Sequence, residues 1–333
     1  MMVGLRNWMY DAGVLRNVRI GVPVISIGNM TAGGTGKTPF VELLLRRLSA
    51  TNKKIAVVSR GYGRKTIGTV VVSDGMSILA SSRDGGDEPS QLAAKFPNVV
   101  VIVDERRVRG AELAVRCFGA AVILLDDAFQ HRSIGRDMDI VMIDGSKPLY
   151  NIRMIPAGLR REPMSGLRRA NTIVLSASNN IDALEHELRR FSESPILRST
   201  TRPLRLSLAS SGSELPLETL RGKSCVAFSG IGNPDAFRNT LTALGLEVRD
   251  ELRFPDHHRY SGGDIRSVLL SRKTHGDALL VTTEKDFMRL STLIADHPDL
   301  AVALYVLEIE TELFDKTGIV DGLIDLAMRK GKS

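Results

Sequence analysis

Cysteine is scarce. Cys117 and Cys225 are the only two in 333 residues, far apart and without a CxxC spacing. That excludes a disulfide framework and a zinc site, and it fits a reducing compartment. Aromatics make up 5% of the chain, with a single Trp, and the arginines are not interleaved with them. The stacking platforms of a nucleic-acid-binding ATPase are therefore lacking, and no nucleic-acid partner is expected. Long apolar runs are missing too. The longest, such as Val99 to Val103 and Ala120 to Leu125, have the length of a strand, well below the ~18 residues of a spanning helix. The first residues contain Arg6, Asp11 and Arg16 and no small-residue cleavage site, which argues against a secretory signal and predicts a cytoplasmic protein. Repeats and low-complexity tracts are absent.

What remains is a globular composition, 43% hydrophobic and 25% charged. Its 45 Lys+Arg against 38 Asp+Glu leave a net charge of +7, which favours an anionic partner such as a nucleotide, a phosphorylated substrate or an anionic membrane. At roughly 150 residues per domain, the length predicts about two domains. Short β-branched segments alternate with helical patterns, the mark of βαβ units and a mostly parallel sheet. Strands are expected at Pro23–Ile27, Ile55–Ser59, Val99–Val103, Val122–Leu125, Ile140–Ile143 and Thr172–Ser176. Helices are expected at Lys37–Leu48, Asp87–Phe96 and Glu105–Cys117. Prolines and glycines from Gly145 to Arg169, among them Pro148 and Pro156, predict a long loop. Ser-rich Leu206–Gly222, with Pro216, reads as a linker. The expected organisation is a domain over 1–205, a linker over 206–222 and a smaller α/β domain over 223–333, opened by Ser224–Ser229, Asp235–Leu244 and Leu279–Thr283.

The sharpest local signal is Thr31-Ala32-Gly33-Gly34-Thr35-Gly36-Lys37-Thr38, placed after a strand and opening a helix. Phosphate binding needs that context: glycines turn backbone N–H groups inward, the helix start adds its dipole, Lys37 reaches the terminal phosphates and the Thr38 hydroxyl ligates Mg²⁺. Thr31 stands where GxxxxGK[ST] has its first glycine, and Gly33-Gly34 makes this the GGxGK[ST] subtype. Val122–Leu125 is an apolar strand ending in Asp126-Asp127, a carboxylate position that holds Mg²⁺ in phosphate-loop enzymes. Asp126 alone would be an ordinary strand-end cap. With the loop it points to ATP and Mg²⁺ as cofactors, without identifying the acceptor.

Ser59-Arg60-Gly61-Tyr62-Gly63-Arg64, Gly86-Asp87-Glu88-Pro89 and Asp127-Ala128-Phe129-Gln130-His131-Arg132 all leave strands or open helices, where α/β ligand sites gather. A kinase needs a carboxylate near the acceptor hydroxyl. Asp87 is the candidate, since Asp126 is committed to metal. Its competing reading is an N-cap for the next helix, the commoner role for an isolated Asp. Asp256-His257-His258-Arg259-Tyr260 is a further polar cluster.

Taken in order, T-A-G-G-T-G-K-T-P, S-R-G-Y-G-R, G-D-E-P, D-D-A-F-Q-H-R, P-A-G-x-x-R-E-P, F-x-D-H-H and T-T-E-K-D resemble the tetraacyldisaccharide 4'-kinase family of lipid A biosynthesis, from about Gly21 to Asp286. The resemblance implies a P-loop kinase-type α/β fold, a mostly parallel sheet with helices on both faces, plus a smaller C-terminal α/β domain closing over the cleft. It implies ATP-dependent phosphorylation of the 4'-hydroxyl of an acylated disaccharide 1-phosphate lipid, giving lipid IVA, at the cytoplasmic face of the inner membrane. Carried over, the general base falls on Asp87, its partner on His257, and the metal and phosphate side on Asp126 and Asp127. Tyr62, Glu88, Arg107 and Gln130 fall around the nucleotide or acceptor. The Thr283-Glu284-Lys285-Asp286 motif is expected to close over the nucleotide. Two departures stand: Leu159-Arg160 replaces Pro-Leu in the P-A-G-P-L-R-E-P motif, and the N-terminus is shorter than the apolar helix of many relatives.

The alternative is a regulatory P-loop ATPase acting as a molecular switch, but Ala32 stands where such proteins carry an early Lys. A GTPase is disfavoured because Lys285 sits one place late for [NT]-K-x-D. No obligate protein partner is evident. Val3 to Leu15 places Leu5, Trp8, Met9 and Ala12 at helical spacing, with Arg6, Arg16 and Arg19 nearby. The segment is expected either to pack on the core or to lie at an anionic membrane surface. Arg153, Arg160, Arg161, Arg168 and Arg169 are expected to crowd a surface loop, there to meet anionic lipid or the acceptor's 1-phosphate.

Overall fold

The computed structural model describes residues 2–33, 35–146, 149, 152–176, 181–315 and 318–330. Its first half alternates strand and helix: α1 (Met2–Asp11), β1 (Val24–Asn29), α2 (Lys37–Ser49), β2 (Ile55–Ser59), β3 (Val70–Asp74), α3 (Ser82–Gly85), α4 (Asp87–Lys95), β4 (Val100–Val103), α5 (Arg107–Phe118), β5 (Val122–Leu125), β6 (Met138–Asp144), β7 (Thr172–Ser176), α6 (Ile181–Arg189) and β8 (Ile196–Leu208). The rest comprises β9 (Glu214–Leu215), β10 (Ser224–Ser229), α7 (Pro234–Ala243), β11 (Glu247–Arg253), α8 (Gly262–Thr274), β12 (Leu279–Thr283), α9 (Glu284–Ile294), α10 (Pro298–Ala301), β13 (Leu304–Phe314) and α11 (Ile319–Lys330).

These elements form two compact units, one of Met1–Thr201 with Thr311–Ser333 and one of Arg202–Glu310. In the first unit the strand order is β8-β7-β6-β1-β5-β2-β4-β3, parallel except for β3 against β4. Every residue of β1, β2, β4 and β5 is buried, which explains their uninterrupted β-branched runs: a parallel strand covered on both faces has no solvent side to mark with polar residues. One face packs against Phe40, Leu44 and Leu48 of α2, Leu92 of α4 and Val320 and Ile324 of α11. The other packs against Ala111 and Ala114 of α5. Loops that leave β1, β2, β4 and β5 therefore emerge together at the carboxyl edge of the sheet, and all the N-terminal motifs lie on them or just beyond.

The second unit orders its strands β11-β10-β12-β13-β8, with β9 antiparallel to β8. Its β10, β11, β12 and β13 pair in parallel. Ile265, Val268, Leu290 and Leu300 pack on one side, and Phe237 and Leu241 of α7 on the other.

The expected boundaries are corrected in two places. The segment 206–222 is not a linker: β9 pairs with β8 inside it, and Leu206 and Leu220 are fully buried. Residues 311–330 return to the first unit, because α11 is amphipathic and buries Val320, Ile324 and Met328 in that unit's core. The N-terminal helix is shorter than Val3–Leu15. It ends at Asp11, where Gly13 takes φ 73° and its N–H bonds to the Tyr10 carbonyl. Pro148, in the expected loop, lies outside the described residues. Among the described residues no helix is long and apolar enough to cross a membrane.

Candidate active site

The phosphate loop follows β1. Gly36, at φ 74°, is the residue before α2, and Gly33 is also left-handed at φ 119°; Gly34 lies outside the described residues. Lys37 and Thr38 are the first two residues of a 13-residue helix with no capping side chain and no carboxylate in its first turn. Its first N–H groups have no capping side chain, and with the helix dipole they make a seat suited to an anion. Thr31 and Thr35 are buried, and the Asn29 side chain donates to Thr35 Oγ1 at 3.3 Å. The loop leans on the arginine-rich segment: Ala32 N donates to Leu159 O and Arg161 N to Met30 O, both at 2.7 Å.

Three acidic side chains converge there. Thr38 Oγ1 donates to Glu88 Oε1 at 3.2 Å. Asp126, 4% exposed, accepts from Ser59 Oγ at 3.0 Å. Burial raises the Asp126 carboxyl to about 6, and the nearby Glu88 charge adds to the rise. Asp127, in a left-handed conformation (φ 49°), is paired with Lys37 Nζ and receives Arg161 Nη1 on both oxygens, at 2.9 and 2.8 Å. Burial pushes Asp127 upward, but Lys37 and Arg161 override it and hold the group well below the usual carboxylate range. The two aspartates that the sequence grouped for metal therefore differ: Asp126 lies on the Thr38–Glu88 side, and Asp127 is engaged by cations. Hard oxygens at Thr38, Asp126 and Glu88 suit Mg²⁺, which takes only one or two protein carboxylates beside nucleotide phosphates. A divalent cation would also relieve the Asp126–Glu88 repulsion. The residues fit the ion.

Asp87 is the first residue of α4, and Gly86 (φ 94°) occupies the N-cap position. The helix-cap reading of Asp87 therefore does not hold. The Gly61 and Gly86 loops touch: a Cβ on Gly61 would stand 2.8 Å from the Gly85 carbonyl, and one on Gly86 3.1 Å from the Tyr62 carbonyl. Only glycine permits that approach, which sets the S-R-G-Y-G-R loop against the residues leading into Asp87. Tyr62 is exposed.

Two expected ligand-binding residues have partners within the fold. Arg107 is 1% exposed, and its guanidinium donates to the Asp104 carbonyl at 2.6 Å and the Asp126 carbonyl at 3.4 Å. It ties the ends of β4 and β5 together, and burial lowers it to about 10 against the pull of Asp126 and Asp127. Gln130 Nε2 donates to the Asn29 carbonyl at 2.9 Å, bracing the end of β1. A lone long polar side chain gives no sequence signal of whether its partner is a ligand or a carbonyl.

In the second unit His257 (φ 60°) donates its N–H to the Gly230 carbonyl at 3.1 Å, and Arg289 Nη2 meets its Nδ1 at 3.2 Å. An arginine can only donate, so Nδ1 accepts and the neutral ring carries its proton on Nε2. Asp286, fully buried, accepts from Gly230 N at 3.0 Å and Arg289 Nη1 at 3.1 Å. The T-T-E-K-D aspartate thus serves the D-H-H loop as scaffold.

The helix α1 inverts the core expectation. Leu5 and Trp8 are 59% and 60% exposed, whereas Asn7 is buried and donates to Glu162 Oε2 at 2.7 Å. The five arginines divide: Arg161 binds Asp127, Arg169 meets Glu162 and stacks on Phe129 at 4.3 Å, and Arg160 Nε reaches the Met154 sulfur at 3.4 Å. Only Arg153 and Arg168 stand exposed. Sequence reasoning did not pair Arg161 with Asp127 or see Glu162 as buried; adjacent Arg-Glu in the P-A-G-x-x-R-E-P motif was the only trace of either.

A family model described as "Tetraacyldisaccharide-1-P 4'-kinase" matches residues 1–327. A tetraacyldisaccharide 4'-kinase of Anaeromyxobacter sp. strain K is 40% identical over 332 residues, 97% of this chain and 86% of that protein. One from Chlorobaculum tepidum is 42% identical over 310 residues, 91% of this chain and 86% of its own. The crystal structure of LpxK from Aquifex aeolicus in complex with ATP superposes with a TM-score of 0.81 at 32% identity, covering 98% of this chain and 95% of that one.

Proposed function

The chain belongs to the tetraacyldisaccharide-1-P 4'-kinase family, it is an ATP-dependent kinase of lipid A biosynthesis, and we propose how its residues divide the work. The acceptor's 4'-oxygen attacks the γ-phosphorus of ATP, the bond from γ-phosphorus to the β,γ-bridging oxygen breaks, and ADP leaves. Asp87 takes the hydroxyl proton. The support for Asp87 is positional: its neighbour Glu88 touches Thr38 of the phosphate loop, so the start of α4 lies beside the phosphates' seat. Lys37 and the first N–H groups of α2 stabilise charge on the transferring group. Thr38 and Asp126, with Glu88 alongside, would hold Mg²⁺, which would supply positive charge against the phosphates. Asp127 keeps Lys37 and Arg161 aimed, and Arg107 positions Asp126 through its backbone. For His257 as the base's partner, the support is the family motif together with a ring whose tautomer Arg289 sets.

The observation that carries this reading is the uncapped start of α2 with Lys37 and a Glu88–Thr38 contact at its mouth. Incubation with γ-labelled ATP and detergent-dispersed tetraacyldisaccharide 1-phosphate should label the lipid. ATP turnover of equal rate without lipid would instead favour the switch ATPase. We further assign the protein to the cytoplasmic face of the inner membrane as a peripheral protein, supported by the exposed Leu5 and Trp8 of α1 and by Arg153 and Arg168. Trp8→Glu should weaken sedimentation with anionic liposomes, and high salt should weaken it further.

A further inference from the structure

The D-H-H loop of the second unit holds its two histidines differently. His258 is packed: its ring stacks on Phe254 at 4.7 Å between centroids, meets Tyr260 edge to face at 5.2 Å and reaches Asp264 Oδ2 through Nε2 at 3.2 Å. The His257 side chain is 40% exposed, yet buried groups hold it. Its backbone is left-handed at φ 60°. A histidine enters that region at a cost and stays there only where its neighbours over-determine it.

Those neighbours form one circuit. Gly230, the residue after β10, gives its N–H to Asp286 Oδ1 at 3.0 Å, and its carbonyl accepts the His257 N–H at 3.1 Å and Arg289 Nη1 at 2.7 Å. Arg289 Nη1 also reaches Asp286 Oδ1 at 3.1 Å, and Thr283 Oγ1 donates to Asp286 Oδ2 at 2.7 Å. The Arg289 and Asp286 side chains are 3% and 0% exposed. Nη1 thus serves the buried pair and the Gly230 carbonyl, while Nη2 is turned to His257 Nδ1 at 3.2 Å. Burying a guanidinium carries a desolvation cost, and aiming its second nitrogen at a partly exposed ring adds little to the core. The same arginine therefore fixes the main chain of His257, through Gly230, and its ring.

We propose that Arg289 is a positioning residue for phosphoryl transfer, holding the His257 ring in one orientation and one tautomer. The proposal rests on the reading of His257 as the base's partner. A guanidinium stays charged and only donates, so Nδ1 accepts and the ring proton sits on Nε2. With the Nδ1 lone pair engaged and Nε2 protonated, the ring gives a hydrogen bond and takes no proton while Arg289 holds it. Asp256 Oδ1 lies 3.9 Å from Nε2, beyond hydrogen-bond reach, and does not set the tautomer. Without the Nη2 contact, one edge of the ring loses its anchor and Nδ1 regains a lone pair for a proton.

The test uses the full chain with isotope-labelled histidine, His257 being assigned among the six histidines through His257→Gln. At about pH 8.5, where an ordinary imidazole is neutral, ring-nitrogen spectra of the wild type should show the proton on Nε2 and Nδ1 as a hydrogen-bonded acceptor. Arg289→Met removes the donor, and the Nδ1 signal should move to that of a nitrogen without the bond. Transfer to detergent-dispersed acceptor should lose about tenfold in kcat, with the KM for ATP at its wild-type value. In the His257→Gln background the same substitution should lower kcat no further, a result that a merely structural role would not give. Arg289→Lys keeps a cation on Asp286 and serves if methionine unfolds the unit. With one nitrogen in place of a fork, it should move the ring signal and kcat in the same direction. A wild-type ring protonated on Nδ1 overturns the proposal. So does wild-type kcat in the folded Arg289 variants, or an equal loss in both backgrounds. A fully active His257→Gln would overturn the reading of His257 as the base's partner instead, and the ring spectra would still show whether Arg289 sets its tautomer.

Discussion

Burial and the Glu88 charge raise Asp126 to about 6, while Lys37 and Arg161 hold its neighbour Asp127 below the ordinary carboxylate range. Two adjacent carboxylates thus sit in opposite electrostatic environments. On the proposed division of labour, Lys37→Ala removes charge stabilisation of the transition state, and turnover should fall by several orders of magnitude, on the order of 4 kcal/mol of barrier. Asp87→Asn leaves the phosphate loop untouched. ATP affinity measured by calorimetry should be unchanged while transfer drops ~10²–10⁴-fold, and a fully active Asp87→Asn would remove Asp87 from the mechanism. His131 supplies a pH test. Burial, then the charges of Arg107 and Arg60, lower its imidazole from 6.5 to about 4. Between those values the unfolded chain binds the proton and the folded one does not, so stability falls as pH drops from about 6.5 toward 4. The loss amounts to at most ~3 kcal/mol. His131→Gln should flatten that part of the stability–pH curve in urea melts, and an unchanged slope would contradict the shift.

Element by element, polar contacts decide how the site is braced. The helix α1 is held by Asn7 and Arg6 on Glu162, whose other partner is Arg169, and by Arg132, which reaches the Asn7 carbonyl at 2.9 Å and Asp11 at 2.7 Å. Glu162→Ala strips the acceptor from two arginines and an amide at a position with no exposure. It should cost about 3 kcal/mol in denaturant unfolding, and protease cleavage near residue 12 should quicken. The close contact of β1 with the loop after β5 is equally unforgiving. A Cβ on Gly28 would stand 2.5 Å from both N and Cβ of Phe129. Gly28→Ala should therefore destabilise by ~1–3 kcal/mol through forced backbone shifts.

For the whole molecule, the telling segment is α11. A reader of the chain assigns 311–330 to the C-terminal unit, yet its apolar face fills the first unit's core beside α2. Ile324→Ala should cost ~2–5 kcal/mol by the cavity it leaves. Hydrogen exchange should rise in β6 and α2, with β10 and β12 protected as before. Faster exchange confined to β10 and β12 would restore the sequential division.

Sequence alone determined the elements that carry local signals. The phosphate loop was legible because glycines, a lysine and a hydroxyl must fall in fixed order between strand and helix. The parallel strands were legible because full burial on two faces writes an uninterrupted β-branched run. Tertiary structure decided what depends on partners distant in the chain. Nothing local to Asp127 tells that Lys37 and Arg161, 90 and 34 residues away, will claim it. Nothing local to Arg107 tells that it will meet the carbonyls of Asp104 and Asp126. Apolar periodicity in α1 and α11 shows that each has a face to bury or display, but the period is the same in both cases. Only the packed fold determines that α11 buries its face and that α1 leaves Leu5 and Trp8 to solvent, because burial is a property of what arrives on the other side.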